Sequence, residues 1–251
     1  MEWIIKNKIQ IKLSIDGNQE IHDKNRMTLT GKGSYLKIIE NINMFRECEQ
    51  KTKNWLQVAH VITQNNYYAV FQSVKHLYND LKFTVIDSSM DVTSRWSKEQ
   101  LDLLAQEWEK VLCYYIQMKN SERPFLWGAI MDFFEYKNDY PNHSFCGAGI
   151  IQIYVKTNGN IYGCAANLGE NGCIGHVTKG FSTKQIKELR KINLNSITCQ
   201  KCEINEKCQS RKCIMNTLVY SENVNVNNPD RCYFEYKKLK LWDKYKHLLC
   251  N

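Results

Sequence analysis

The stretch TCQKCEINEKCQSRKC, Thr198 to Cys213, places four cysteines in the spacing C-x2-C-x5-C-x4-C. Short loops between thiols let several of them close on one metal ion or cluster, and C-x2-C supplies two ligands from one tight turn. Cys146 and Cys164 lie upstream of this run, and Cys232 lies downstream. This concentration of thiols predicts metal or iron–sulfur ligation.

The composition favours a cytoplasmic protein with reduced thiols. The chain has 251 residues and eleven cysteines, without an apolar run of the roughly 20 residues that cross a bilayer and without a signal-peptide pattern. Cytosolic thiols stay reduced, so metal binding is favoured over a disulfide framework. The net charge of +8 comes from lysines spread along the chain. We therefore expect neither nucleic acid nor a membrane as a partner.

The first 140 residues alternate between strand and helix patterns, which is typical of parallel βαβ units. The predicted elements are a strand at 8–16, a helix that begins at Ser34 and includes Leu36, a strand at 56–63, a helix at 71–81, a strand at 82–87 and a helix after a capping box of Ser97 and Gln100. In the first strand, Lys12, Ser14 and Asp16 share the polar face.

The pattern changes near residue 140. IIQIYVKTNGNIYGC predicts a β-hairpin, with Asn158-Gly159 as a two-residue turn that supplies two positive φ angles. A short strand at 173–178, a helix capped by Ser182 and a last helix near 239–248 are predicted after it. Because this part has little apolar core, bound metal would have to stabilise it. We therefore predict domains at 1–140 and 141–251.

The order of the cysteines resembles the SPASM domain, the C-terminal extension of many radical S-adenosylmethionine (radical SAM) peptide-modifying enzymes. Cys146 comes first, Gly159-x4-Cys164 follows, then the run of four, and Cys232 comes last. The resemblance covers roughly residues 146–232. One departure is the x4 spacing before Cys213, where the family has x3.

A second resemblance lies near the start of the chain. SIDGNQEIHDKNR, from Ser14 to Arg26, is similar to the fourth strand and following loop of the radical SAM barrel in the same enzymes. The implied fold class is α/β: the C-terminal half of a partial (β/α) radical SAM barrel, followed by a small cysteine-rich α+β SPASM domain. Lys12, Ser14 and Asp16 would then face the barrel lumen.

The resemblance implies two auxiliary 4Fe–4S clusters. The first would be held by Cys146, Cys164 and Cys213, with its fourth iron open or bound by Cys173. The second would be held by Cys199, Cys202, Cys208 and Cys232. The alternative is a zinc ribbon made by the four cysteines of the run. Zinc in that ribbon would leave Cys146, Cys164 and Cys232 unexplained.

The resemblance also makes Ser14 and Arg26 candidates for contacting the carboxylate or ribose of S-adenosylmethionine. The planar fork of an arginine suits a carboxylate. The alternative is that His22, Asp23 and Arg26 only form a local hydrogen-bonded loop. No catalytic residue is predicted.

The motif C-x3-C-x2-C, which holds the cofactor-binding cluster in these enzymes, is absent. Only Cys48 and Cys113 precede Cys146. The chain is therefore expected to be the second half of such an enzyme, either as a fragment of a longer protein or as one half of a split enzyme whose partner chain supplies the N-terminal half-barrel. S-adenosylmethionine would bind only in that combination.

Three functions follow. The resemblance implies oxidative modification of a peptide or protein substrate, and Ala165 after Cys164, where the sulfatase-maturing branch has an aspartate, favours peptide maturation. The first alternative is a non-catalytic iron–sulfur module for electron transfer or binding. The second is a zinc-stapled interaction protein.

Overall fold

The computed structural model describes residues 1–135, 147–150, 152–166, 172–190, 197–210, 213, 220 and 226–250. The chain divides into two compact units, Met1–Tyr136 with Lys237–Asn251, and Lys137–Tyr236. The domains predicted at 1–140 and 141–251 stay a prediction.

The first unit is a mixed α/β structure built on a parallel sheet, as predicted. The strands described there lie in the order β1 (Lys12–Ser14), β2 (Gln57–Ile62), β3 (Val85–Met90) and β4 (Leu126–Trp127). The helices are α1 (Glu2–Lys6), α2 (Gln19–Asn25), α3 (Tyr35–Ile39), α4 (Ile42–Thr52), α5 (Val70–Lys75), α6 (Lys98–Met118) and α7 (Ile130–Glu135), with a 3₁₀ turn at Tyr67–Ala69 and a π-helical turn at His76–Asp80.

One face of this sheet is buried. The residues on it come from neighbouring strands in register and are Val58, His60, Ile62, Ile86, Ser88, Met90 and Trp127. The indole ring of Trp108, on α6, lies 5.0 Å from that of Trp127, centroid to centroid. Helix α6 therefore packs on this face, and it begins at the predicted capping box of Ser97 and Gln100.

The opposite face is partly exposed and carries charged and polar side chains beside apolar ones such as Val61 and Val85. Lys12 and Ser14 of β1 are exposed there, and Lys12 forms an ion pair with Asp87 of β3. Ala59 of β2 lies between these strands in register with Ser14 and Asp87. A side chain at Gly128 would approach the Asp87 carboxylate to 2.7 Å. Parallel sheets are normally covered on both faces, so this exposed face is unusual.

Two predicted boundaries were wrong. The third strand starts at Val85 rather than at residue 82, because Lys82 has a φ of +61° and belongs to the left-handed turn after the π-helical segment. The helix predicted from Ser34 is split into α3 and α4. The Asn41 amide there donates to the Lys37 carbonyl, which competes with the helical hydrogen bonds.

The second unit contains an antiparallel sheet and short helices. Its described elements are β5 (Tyr154–Val155), β6 (Asn160–Tyr162), β7 (Cys173–His176), β8 (Gly180–Phe181), α8 (Thr183–Arg190), α9 (Ile197–Gln200) and the start of α10 (Pro229–Leu249). Helix α10 begins ten residues before its predicted position near 239.

The predicted hairpin forms, with β5 antiparallel to β6, but its predicted turn was wrong. Only Gly159 of the turn has a positive φ, +86°. Lys156 donates its backbone N–H to the Asn160 carbonyl, and Gly159 donates to the Lys156 carbonyl. This is a three-residue loop whose last residue needs the left-handed conformation.

None of the helices within the described ranges is long and apolar enough to cross a bilayer.

His60 is a buried base within the covered face of the parallel sheet. Its Nδ1 lies 3.0 Å from the Ser88 hydroxyl oxygen, which also accepts the indole N–H of Trp127 at 3.0 Å. Among the residues that the structure describes, its Nε2 has no hydrogen-bond partner. Burial lowers the pKa of His60 to about 4. Because the imidazole is not charged at neutral pH, the sheet contains no buried cation at this position.

We expect the stability of the protein to fall as the pH decreases from 7 to 5. An unfolded histidine titrates near 6.5, so in this range the unfolded state takes up a proton that folded His60 does not. From a folded pKa of about 4, the loss is about 2 kcal/mol. Urea unfolding at both pH values measures it. His60→Gln should remove this part of the pH dependence, and an equal loss in that variant would contradict the assignment.

Candidate cofactor and cluster sites

The carboxylate of Asp16 organises the carboxyl end of β1. It is 1 % exposed. It accepts hydrogen bonds from Arg26 Nε at 2.8 Å, Arg26 Nη2 at 3.1 Å, the backbone N–H of Val61 at 2.9 Å and the Asn25 amide at 3.4 Å. The prediction that Asp16 shares the open polar face with Lys12 and Ser14 was wrong. β1 ends at Ser14, so the alternation of side chains ends there as well.

A chain of hydrogen bonds continues from Asp16 through His22. The Asp16 backbone N–H donates to His22 Nδ1 at 3.2 Å, so Nε2 carries the ring proton. Nε2 lies 3.0 Å from the Ser34 hydroxyl, which in turn donates to the Arg26 carbonyl at 2.6 Å. Burial lowers the pKa of His22, which keeps the ring neutral. Ser34 therefore serves this loop and makes no side-chain cap on α3.

The three residues of the loop do form local hydrogen bonds, and the assignment of Ser14 and Arg26 to the cofactor stays a prediction. His22 and Arg26 bond as described, and Asp23 accepts the Tyr35 backbone N–H at 2.9 Å. Ser14 lies exposed on β1. Arg26 uses its Nε and Nη2 edge on Asp16, so a ligand carboxylate would have to bind the remaining edge of the guanidinium.

The segments that carry three of the predicted cluster ligands meet in the second unit. Cys202 donates its backbone N–H to the Cys199 carbonyl at 3.0 Å, which closes the C-x2-C turn at α9. Cys232 lies in the first turn of α10. Partial burial and the neighbouring Cys199 and Cys202 thiols raise the pKa of Cys232 to about 11. The start of α10 thus lies near the turn of Cys199 and Cys202, as the 3.1 Å contact of Asn227 Nδ2 with Cys199 Sγ also shows.

The segment carrying Cys208 reaches the same helix. The backbone N–H of Gln209 donates to the Glu235 carboxylate at 3.0 Å. Glu235 is buried and lies one turn beyond Cys232 on α10. Helix α9 and the start of α10 therefore position the segments that carry the four thiols assigned to the second cluster.

The remaining predicted ligands are those of the first cluster. Cys146 lies outside the described residues. Cys164 accepts the Ala166 backbone N–H at 3.5 Å, and Cys213 donates its backbone N–H to the Ser210 carbonyl at 3.4 Å. Cys173 donates to the Gly175 carbonyl at 3.4 Å. The grouping of the first cluster, with Cys173 or an open position as fourth ligand, stays a prediction.

No group of three or more histidine, cysteine, aspartate or glutamate side chains within the described ranges has the geometry to hold a metal ion. Thiolates repel one another, and a bound metal supplies the attraction that draws them together. The donor set of Cys199, Cys202, Cys208 and Cys232 suits an iron–sulfur cluster chemically, because four thiolates are its ordinary ligands.

Sequence reasoning missed several polar residues near these sites. Asp87, the partner of Lys12, could have been suspected from the alternation in the third strand. Asn227, whose amide Nδ2 lies 3.1 Å from Cys199 Sγ, has no local sequence signal. Its contact depends on how the chain folds.

Comparison with solved structures identifies the class of fold to which this chain is similar. The mixed α/β fold with its parallel sheet is similar to a radical SAM enzyme structure. The particular structures are of anSMEcpe, an anaerobic sulfatase-maturating enzyme. The hexahistidine-tagged protein with bound AdoMet matches with a TM-score of 0.71 and 16 % identity. The native protein with AdoMet and the Kp18Cys peptide matches with a TM-score of 0.70, and the one with the Cp18Cys peptide matches with a TM-score of 0.71. Both are 16 % identical to this chain in sequence.

The match covers nearly all of this chain and only part of the solved ones. The match to the tagged structure spans 98 % of this chain and 66 % of that structure's chain. The match to the complex with the Kp18Cys peptide spans 99 % of this chain and 70 % of that structure's chain. The chain thus spans about two thirds of the length of the structures that it matches. No family model matches the sequence, and no curated protein matches it.

Replacing the Asp16 carboxylate tests its structural role. Asp16→Asn removes the negative charge that Arg26 neutralises and puts an amide donor opposite other donors. We expect a loss of about 3 kcal/mol in the free energy of unfolding, as for other broken buried pairs. Urea denaturation measures it. The matched control is Glu20→Gln in the exposed pair with Lys24, which should cost much less because solvent screens exposed ion pairs. Equal losses in the two variants would contradict the prediction.

Proposed function

We propose that the chain is an iron–sulfur protein of the radical SAM/SPASM type that acts in the oxidative modification of a peptide or protein substrate. Its first unit would be the C-terminal half of a radical SAM barrel, and its second unit a SPASM domain with two auxiliary 4Fe–4S clusters. Alone it would lack the cluster that binds S-adenosylmethionine.

The observation that carries the proposal is that the chain just before α10 reaches Cys199: Asn227 Nδ2 lies 3.1 Å from the Cys199 Sγ, and Cys232 lies in the first turn of α10. The resemblance assigns Cys199, Cys202 and Cys232 to one cluster, and this contact joins the segments that carry them, at α9 and the start of α10. Together with Cys208 they provide four thiolates, which would complete the coordination of a 4Fe–4S cluster. A zinc ribbon made by Cys199, Cys202, Cys208 and Cys213 would give Cys232 no role, so its position favours the iron–sulfur alternative.

The open face of the parallel sheet supports the half-barrel. In a closed barrel the helices cover the outside of the sheet and the strands line an interior. Here α6 covers one face, and the other face carries Lys12, Ser14 and Asp87. This polar face would line the lumen once further strands close the barrel.

The residues of this chain would have distinct tasks at the cofactor. Ser14 would contact S-adenosylmethionine from β1, and Arg26 would offer the guanidinium edge that Asp16 leaves free. Asp16 would hold Arg26 in place. S-adenosylmethionine would supply the radical chemistry when bound to the partner's cluster. A peptide substrate is favoured because solved structures with this fold contain bound peptides.

The non-catalytic alternative uses the same clusters. An electron-transfer or binding module would need both clusters and no S-adenosylmethionine. The two functions differ in whether a front half-barrel restores cleavage of the cofactor.

Metal content tests the cluster assignment. Anaerobic reconstitution should give about eight irons with sulfide per chain, since two 4Fe–4S clusters contain eight. Cys232→Ser should reduce the iron to about four, because it removes one ligand of the second cluster. The control, Cys250→Ser, changes an exposed cysteine outside both ligand sets and should leave the iron content unchanged. About one zinc without sulfide would overturn the proposal.

Cleavage of S-adenosylmethionine tests the half-barrel. The reconstituted chain with dithionite should form no 5′-deoxyadenosine, because it lacks C-x3-C-x2-C. A co-expressed half-barrel segment that carries this motif should restore the product, measured by chromatography. In the restored complex, Ser14→Ala should raise the apparent Kd of the cofactor about tenfold. Cleavage by the chain alone would contradict the proposal, and no cleavage after complementation would favour the electron-transfer module.

A further inference from the structure

Asn227 makes an unusual contact with a predicted cluster ligand. Its side-chain amide Nδ2 lies 3.1 Å from the Sγ of Cys199, on α9. An amide N–H in this position donates to the sulfur. The donor is neutral and does not titrate, so the contact persists over the whole working pH range.

The position of Asn227 is fixed by the start of α10. The next residue, Asn228, is buried, and its side-chain oxygen accepts the backbone N–H of Asp230 at 3.0 Å. The Asn228 carbonyl accepts the backbone N–H of Cys232 at 3.0 Å. The start of α10 therefore carries Cys232 and also positions the Asn227 amide that reaches Cys199.

A hydrogen bond to a ligand sulfur affects a cluster in a defined direction. One-electron reduction of a 4Fe–4S cluster adds negative charge that is shared with its thiolate ligands. An N–H donor stabilises the more negative state more strongly, so it raises the reduction potential. A residue that acts in this way touches neither substrate nor reacting atoms and is a positioning residue.

We propose that Asn227 tunes the reduction potential of the cluster held by Cys199, Cys202, Cys208 and Cys232, through its hydrogen bond to the Cys199 sulfur. The inference rests on the proposed function, because it requires that cluster. A residue outside the cysteine pattern would then help to set the reduction potential of the second cluster.

The test compares variants at this one position in the reconstituted full chain. Asn227→Asp keeps the size of the side chain and replaces the donor by a carboxylate. It should lower the equilibrium constant for reduction of the second cluster by dithionite about tenfold, which is ~59 mV for a one-electron couple. Asn227→Ala should shift the potential in the same direction by less. Asn227→Gln retains the donor and should recover part of the shift.

EPR-monitored redox titration measures both clusters in one sample. The cluster assigned to Cys146, Cys164 and Cys213 is the internal control, and its potential should not move. Asn158→Ala is the matched control, because that asparagine lies in the same unit and caps the hairpin turn at Asn160 instead. An unchanged potential in Asn227→Asp with full iron content, or equal shifts of both clusters, would overturn the inference.

A measurement on the unmodified protein guards against variants that lose the cluster. With ¹⁵N-labelled asparagine, electron–nuclear double resonance of the reduced second cluster should detect a coupled nitrogen. Its absence would also overturn the inference while leaving the proposed function intact. Failure of the unmodified chain to take up iron and sulfide would instead overturn the proposed function itself, and the inference with it.

Discussion

The buried Asp16 carboxylate joins three parts of the first unit that are separate in sequence. It follows β1, accepts a backbone N–H from Val61 of β2, and binds two nitrogens of Arg26 beyond α2. A charge at 1 % exposure is tolerable only because these donors neutralise it. The loop with His22 takes its shape from this carboxylate, and so does the carboxyl end of β1. Ligands of parallel α/β sheets bind at such ends, so one ion pair determines the shape of the candidate cofactor site.

The second unit depends on a different kind of interaction. Its strands are two to four residues long, and its described sheet has few buried apolar side chains, Ile161, Tyr162 and Ile174. A core of that size contributes little to stability, whereas a metal cluster bound by several thiolates can contribute much of the folding free energy. In this view the turn of Cys199 and Cys202 and the first turn of α10 are the elements that a cluster would join.

Local signals in the sequence predicted the parallel sheet and its covering helix well. The capping box of Ser97 and Gln100 begins α6 as expected, because both of its hydrogen bonds lie within four residues. The burial of Asp16 and the pairing of Lys12 with Asp87 were not predicted, since they depend on strand register and on where β1 ends. For the candidate sites, spacing indicated which cysteines belong together. It could not indicate Asn227, which meets Cys199 across 28 residues.

The ion pair of Lys12 and Asp87 limits the size of the side chain that can lie between the two residues. The two residues lie on β1 and β3, about 10 Å apart at backbone level, with β2 between. The lysine chain must therefore cross β2 on the side where Ala59 presents only a methyl group. A bulky side chain at position 59 would block that path, so exchanges there should be limited to glycine, alanine and serine for as long as the two charges are kept.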